Sequence, residues 1–87
     1  MPHAYWPAWW EWELFLSPHL LDRMELRAFT EIELRGMMEI ASGLHPEADD
    51  RWAIESRWHG QNWEIIVEPD RVTEQLVVIT AYPVDKD

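Results

Sequence analysis

Residues 10–18 read Trp10-Glu11-Trp12-Glu13-Leu14-Phe15-Leu16-Ser17-Pro18, and the change of pattern inside this stretch decides the fold class. Trp10, Trp12, Leu14 and Leu16 fall on one side of an extended chain, with Glu11 and Glu13 on the other. That period of two marks a half-buried strand. Ser17-Pro18 then ends the alternation. Ser suits a helix N-cap, and Pro at the first helical position gives up no needed hydrogen bond. The pattern predicts a helix from Pro18 to about Arg27, with Leu20, Met24 and Arg27 or Ala28 along one stripe and Leu21 beside it.

Toward the C-terminus the next signal is Thr30-Glu31-Ile32-Glu33. Thr30 can accept from the amide of Glu33 while the Glu33 carboxylate reaches back to Thr30, which is a capping box. Phe29 before the cap and Leu34 after it complete a hydrophobic staple. A second helix should run to about Ala41 or Ser42 and stop at Gly43. Gly36 inside it suggests a close approach of helix and sheet, because a mid-helix Gly otherwise costs about 1 kcal/mol.

Residues 43–50 are polar, contain Pro46 and read as a loop. Three strands are expected after it: Arg51–Trp58, Trp63–Glu68 and Gln75–Tyr82, separated by turn chemistry at His59-Gly60-Gln61-Asn62 and Pro69-Asp70. Leu76-Val77-Val78-Ile79 is apolar on both sides, as in a strand inside a sheet. Ahead of the first strand, Pro2 and Pro7 make residues 1–9 an irregular arm, and Tyr5, Trp6 and Trp9 are too apolar for a free tail. The expectation is an α+β domain over residues 10–87, ordered β-α-α-β-β-β. Two helices should pack on one face of a mostly antiparallel four-stranded sheet, preceded by a Trp-rich arm at 1–9.

The 87 residues include seven Trp and no Cys, 47% are hydrophobic, and the formal charge is -10. Without Cys there are no disulfides and no thiolate sites. A secreted domain of this size often needs disulfides, so the composition points to the cytoplasm. The N-terminus lacks the basic and apolar regions of a signal peptide. No apolar stretch approaches the ~18 residues of a membrane span. Net negative charge opposes approach to a polyanion unless basic residues gather locally. His3, His19, His45 and His59 lack metal-ligand spacing, and Gly36, Gly43 and Gly60 form no phosphate loop. Neither a metal nor an organic cofactor is expected.

His19, Arg23 and Arg27 recur every fourth residue and form one helical stripe. A His that moves a proton beside two guanidiniums that hold developing charge can cleave a phosphodiester. The same Arg side chains can also lie over apolar surface and pair with carboxylates, and His19 can help cap the helix. Arg51 and Arg57 share a strand face and would either extend a phosphate groove or pair across the sheet with Glu64, Glu68 or Glu55. Thr80 and Tyr82 share one face of the last strand; the phenol either contacts substrate or is tied to the sheet. Tyr5, Trp6, Trp9 and Trp10 are candidates for a partner interface, including a second copy of the chain, or for the core itself.

Two separated segments carry a family resemblance. One is Ser17-Pro18-His19-Leu20-Leu21-Asp22-Arg23-Met24 with Arg27, followed by Thr30-Glu31-Ile32-Glu33-Leu34. The other is Trp63-Glu64-Ile65-Ile66-Val67-Glu68-Pro69-Asp70 with Leu76-Val77-Val78-Ile79-Thr80-Ala81-Tyr82-Pro83. Over roughly residues 12–83 the chain resembles small bacterial domains similar to the BrnT-like and RelE/ParE-like ribonuclease toxins. That resemblance implies metal-independent RNA cleavage through the 2′-hydroxyl and a cognate antitoxin. It also brings His19, Arg23, Thr80 and Tyr82 together. On this reading His19, Arg23 and Tyr82 are catalytic, and Arg27, Arg51, Arg57 and Thr80 bind RNA. The alternative on the same fold is a non-catalytic interaction module or homodimer that uses its acidic surface and Trp arm.

Overall fold

A computed structural model describes residues 6–84. A short 3₁₀ turn (Ala8–Glu11) leads into β1 (Glu13–Leu16), α1 (Pro18–Arg27), α2 (Glu31–Glu39), β2 (Gly43–Ala48), β3 (Arg51–Trp58), β4 (Gln61–Asp70) and β5 (Gln75–Val84). The strands form one sheet in the order β1-β5-β4-β3-β2. β1 runs parallel to β5, and the other three pairings are antiparallel. The architecture is α+β, with both helices on one face.

The sheet has five strands where the sequence suggested four. Residues 43–48, read as a loop, pair with β3 from Gly43↔Glu55 onward. The segment hides well because it is an edge strand. Pro46 and the polar residues around it are tolerated where one side of the ladder has no neighbour. The first strand is also shorter than expected. Trp10 and Glu11 are wound into the 3₁₀ turn, where Trp10 N–H donates to Pro7 O at 3.0 Å and Trp12 N–H to Trp9 O at 3.1 Å. α2 ends at Glu39 rather than Ala41 or Ser42.

The core lies between helices and sheet. Leu20 of α1 and Leu34, Met37 and Met38 of α2 meet Ile54, Ile65, Val67, Leu76, Val78 and Ala81 of the sheet. Val78 and Ala81 can both point inward because β5 carries an extra residue: Ile66 pairs with Thr80 but Val67 with Val78, leaving Ile79 as a bulge. The bulge also sends Thr80 and Tyr82 to the opposite face. Trp9 is buried in the core and its ring lies 5.6 Å from that of Trp52. Trp6, Trp10, Trp12, Trp58 and Trp63 pack around the core half-buried. The described end of the N-terminal segment therefore belongs to the packing of the domain; Tyr5 lies outside the described residues.

The capping box forms as expected, with Glu33 N–H donating to Thr30 Oγ1 at 3.2 Å and Thr30 N–H to Glu33 Oε1 at 3.0 Å. Gly36 faces the Trp58 ring: a Cβ there would stand 2.7 Å from Trp58 Cη2. That ring is not free to swing away, because its indole N–H donates to Glu33 Oε2 at 3.2 Å and it stacks on His59. Ala28, by contrast, closes α1 at φ 54°, in the left-handed region that suits Gly. The two positions predict opposite signs. Gly36→Ala should lose about 1 kcal/mol net, overpacking outweighing the gain in helix propensity. Ala28→Gly should gain about 0.5–1 kcal/mol by relieving the left-handed backbone. Urea midpoints of the two variants check both.

Candidate functional site

β1 has four residues and covers only Gln75–Val78 of the longer β5. Beyond Val78 the outer edge of β5 meets α1 instead. Ser17 N–H donates to Val78 O at 3.2 Å, and Ser17 Oγ donates to Ile79 O at 3.0 Å while accepting from Leu20 N–H at 3.0 Å. One hydroxyl thus caps the helix and the sheet edge together. At the other end of α1, Arg27 Nη1 donates to Ala81 O at 3.1 Å. These contacts set α1 alongside β5 and fix which side chains form its outer ridge.

On that ridge Arg23 Nε donates to His19 Nε2 at 3.4 Å. In this geometry the Nε2 lone pair is the acceptor and is turned to Arg23. His19 is exposed and Arg23 half-buried; together with Asp22, Glu25 and Leu26 they line an open depression. Arg23 and Arg27 each use one donor here, and a guanidinium carries five. Both keep the capacity to hold an anion.

The strand candidates divide. Tyr82 lies on the face of the sheet away from the helices, close enough to Arg27 for that charge to act on it. Its phenol donates to Glu64 Oε1 at 2.8 Å. Burial, then the hydrogen bond to Glu64, push its pKa up to about 12. Thr80 is on the same face, opposite Ile66. Arg51 pairs with Glu68 at 3.1 Å, and Arg57 Nη2 donates to Gly60 O at 3.3 Å. These two stand at opposite ends of β3, with β4 and β5 between them and the α1 ridge. His19 and Arg23 are brought together, with Arg27 one turn further on and turned to Ala81 O; Tyr82 and Thr80 lie on the other face of β5, and Arg51 and Arg57 are not part of the group.

The sequence suggested Glu55, Glu64 and Glu68 as cross-strand partners of Arg51 and Arg57; Arg51 does pair with Glu68, but the links of Glu64 and Glu55 to other side chains were not foreseen. Glu64 holds Tyr82 and stands directly opposite Glu55 across the β3–β4 ladder. Glu55 Oε2 in turn lies 3.2 Å from His45 Nδ1 of β2. Glu33 was read only as a cap, yet it also receives the Trp58 indole. Donation from Thr30 N–H, then from the indole, holds its carboxyl below the usual range. Among the described residues no three His, Asp or Glu side chains converge as metal ligands. No helix among them is long and apolar enough to cross a membrane.

The Tyr82–Glu64 bond makes a prediction about alkaline pH. A phenol whose folded pKa is raised above its ordinary value near 10 contributes stability fully below pH ~10, and that stability is lost as pH rises toward the folded value. Urea midpoints should fall between about pH 10 and 12 more steeply in the native protein than in Tyr82→Phe. Parallel curves would show that folding does not raise the pKa of the phenol.

No family model matches the chain, and no curated protein does. Among solved structures, the chain is similar to the 1.1 Å crystal structure of the Brucella abortus ribonuclease toxin BrnT, with a TM-score of 0.66 and 17% identity over 86% of this chain and 99% of that one. The α+β fold of this chain is therefore BrnT-like.

Proposed function

We propose that this protein is a toxin-like endoribonuclease that works without a metal, with the α1 ridge as its site. The observation that carries the proposal is the pairing of His19 Nε2 with Arg23 Nε on an exposed ridge, on a fold shared with a ribonuclease toxin. Once Arg23 turns from Nε2 to the phosphate, the His19 lone pair takes the proton of an RNA 2′-hydroxyl. The freed oxygen attacks the adjacent phosphorus and the bond from phosphorus to the 5′-oxygen breaks. The products are a 2′,3′-cyclic phosphate and a 5′-hydroxyl, the departing oxygen recovering a proton from the His19 imidazolium or from water. Arg23 and Arg27 offset the charge that builds on the non-bridging oxygens. Tyr82, held by Glu64, and Thr80 stand on the other face of β5 and would reach only RNA that passes its edge. Arg51 and Arg57 would contact only RNA that wraps round the sheet. The cellular setting that goes with this activity is a cytoplasmic toxin held by an antitoxin.

A second reading has its own support. Five carboxylates, Glu13, Glu55, Glu64, Glu68 and Asp70, alternate onto the helix-free face, against Arg51 and Arg57. Such a face repels RNA and suits a non-catalytic interaction module. Trp6 and Trp10, half-buried with ring centroids 4.6 Å apart, would add a contact for a partner or a second copy.

Purified protein should cleave RNA in the presence of a chelator. His19→Ala and Arg23→Met should each reduce the rate by roughly 10²–10³-fold, within the range for a lost general base or charge-stabilising donor. Circular dichroism checks that both variants remain folded. Undiminished cleavage by the double variant would remove this site, and a folded native protein without cleavage would leave the interaction module as the reading.

A further inference from the structure

We infer that the helix-free face of the sheet is a docking surface for a single basic segment of a protein partner. The inference goes beyond the ribonuclease proposal and gives the second reading a place and a partner chemistry. It begins with what the face contains. Ala53 and Ile66 are paired across the ladder and buried, yet they are not part of the cluster between sheet and helices. They form a small apolar floor on the other side that is already almost out of solvent contact, so the apolar surface this face offers a partner is that of Phe15 and Val77. Phe15, 47% exposed, and its neighbour Val77 continue that floor toward β1.

Around the floor stand charged and polar groups. The Arg51–Glu68 bridge flanks it on one side, the Tyr82–Glu64 bond on another, and Glu55 with His45 on a third. An apolar centre with a polar rim is the anatomy of a recognition surface. The rim's sign is unbalanced. Glu55 and Glu64 sit directly opposite each other, two like charges that His45 and Tyr82 already contact. A cation laid across the pair would add to those contacts.

Charge also selects among occupants. A second copy of the chain would bring one row of glutamates against another, and RNA would bring phosphates; both are repelled. Neither edge invites an added strand: β2 carries Pro46 and a register shift before Ala48, and β1 has only four residues. Five strands at about 4.8 Å spacing and about 20 Å of length give a face of roughly 500 Å². That is less than the ~800 Å² per partner of a standard interface between globular proteins. One amphipathic segment bearing Lys or Arg fits this area.

The test uses the full chain and an amphipathic leucine–lysine peptide, with a leucine–glutamine peptide and a poly-uridine oligonucleotide as comparisons. In ¹⁵N-resolved titrations the lysine peptide should move the amides of Phe15, Glu55, Glu64, Ile66 and Val77, and the other two probes should not. The triple variant Glu55→Gln, Glu64→Gln, Glu68→Gln should weaken the lysine peptide about tenfold or more. Glu11→Gln, Glu39→Gln, Glu74→Gln changes the net charge equally and should weaken it less than about threefold. Equal losses in the two variants, or perturbations centred on α1 and α2, would overturn the inference. RNA cleavage is read separately from peptide binding, so failure of one proposal leaves the other standing.

Discussion

The structure depends on how the outer edge of β5 is closed. β1 covers its first four residues with a parallel ladder, and then the chain turns at Ser17. The Ser17 hydroxyl bonds the Ile79 carbonyl and caps α1 in the same position, and Arg27 satisfies the Ala81 carbonyl further along. An uncovered edge exposes unpaired backbone groups to other chains. Here a helix laid beside the strand covers it. Because the two ends of α1 are fixed to β5, the rotation of the helix is fixed as well: Leu20 points into the core with no exposed surface, and His19 points out.

The same geometry sorts the charges of an acidic protein. Two of the seven Lys and Arg residues, Arg23 and Arg27, fall on α1 beside His19, whereas glutamates gather on the opposite side of the sheet. The bulge at Ile79 takes part in this sorting. It keeps Val78 and Ala81 in the core while turning Tyr82 toward Glu64. A phenol that would otherwise stand beside the α1 ridge is tied to a carboxylate.

Much of the fold was legible before any coordinates. The alternation before Ser17-Pro18, the capping box at Thr30 and the apolar run in β5 each gave an element its type, because each has a local physical cause. β2 was not legible: Leu44 is its main apolar contribution, and Pro46 reads as a breaker unless the strand is known to lie at an edge. The parallel pairing of β1 with β5 was also out of reach, since nothing in either strand specifies so distant a partner. The α1 stripe of His19, Arg23 and Arg27 could be read from spacing alone. The Glu55–Glu64 pair needed register. The two-residue turn His59-Gly60, with φ of 50° and 76°, sets Trp58 opposite Gln61, and counting back along both strands places the two glutamates face to face. The role of Arg27 at Ala81 depended on tertiary packing and left no trace in its own neighbourhood.

The central claim is that the fold separates the α1 ridge, where Arg23 and Arg27 balance Asp22 and Glu25, from a helix-free face with an excess of carboxylates. Paramagnetic relaxation by a matched pair of cationic and anionic nitroxide cosolutes measures the near-surface potential amide by amide. The account predicts a more positive potential at the exposed amides of residues 19–27 than across the helix-free face of β3, β4 and β5. A uniformly negative potential, with α1 no different from the sheet, would contradict it.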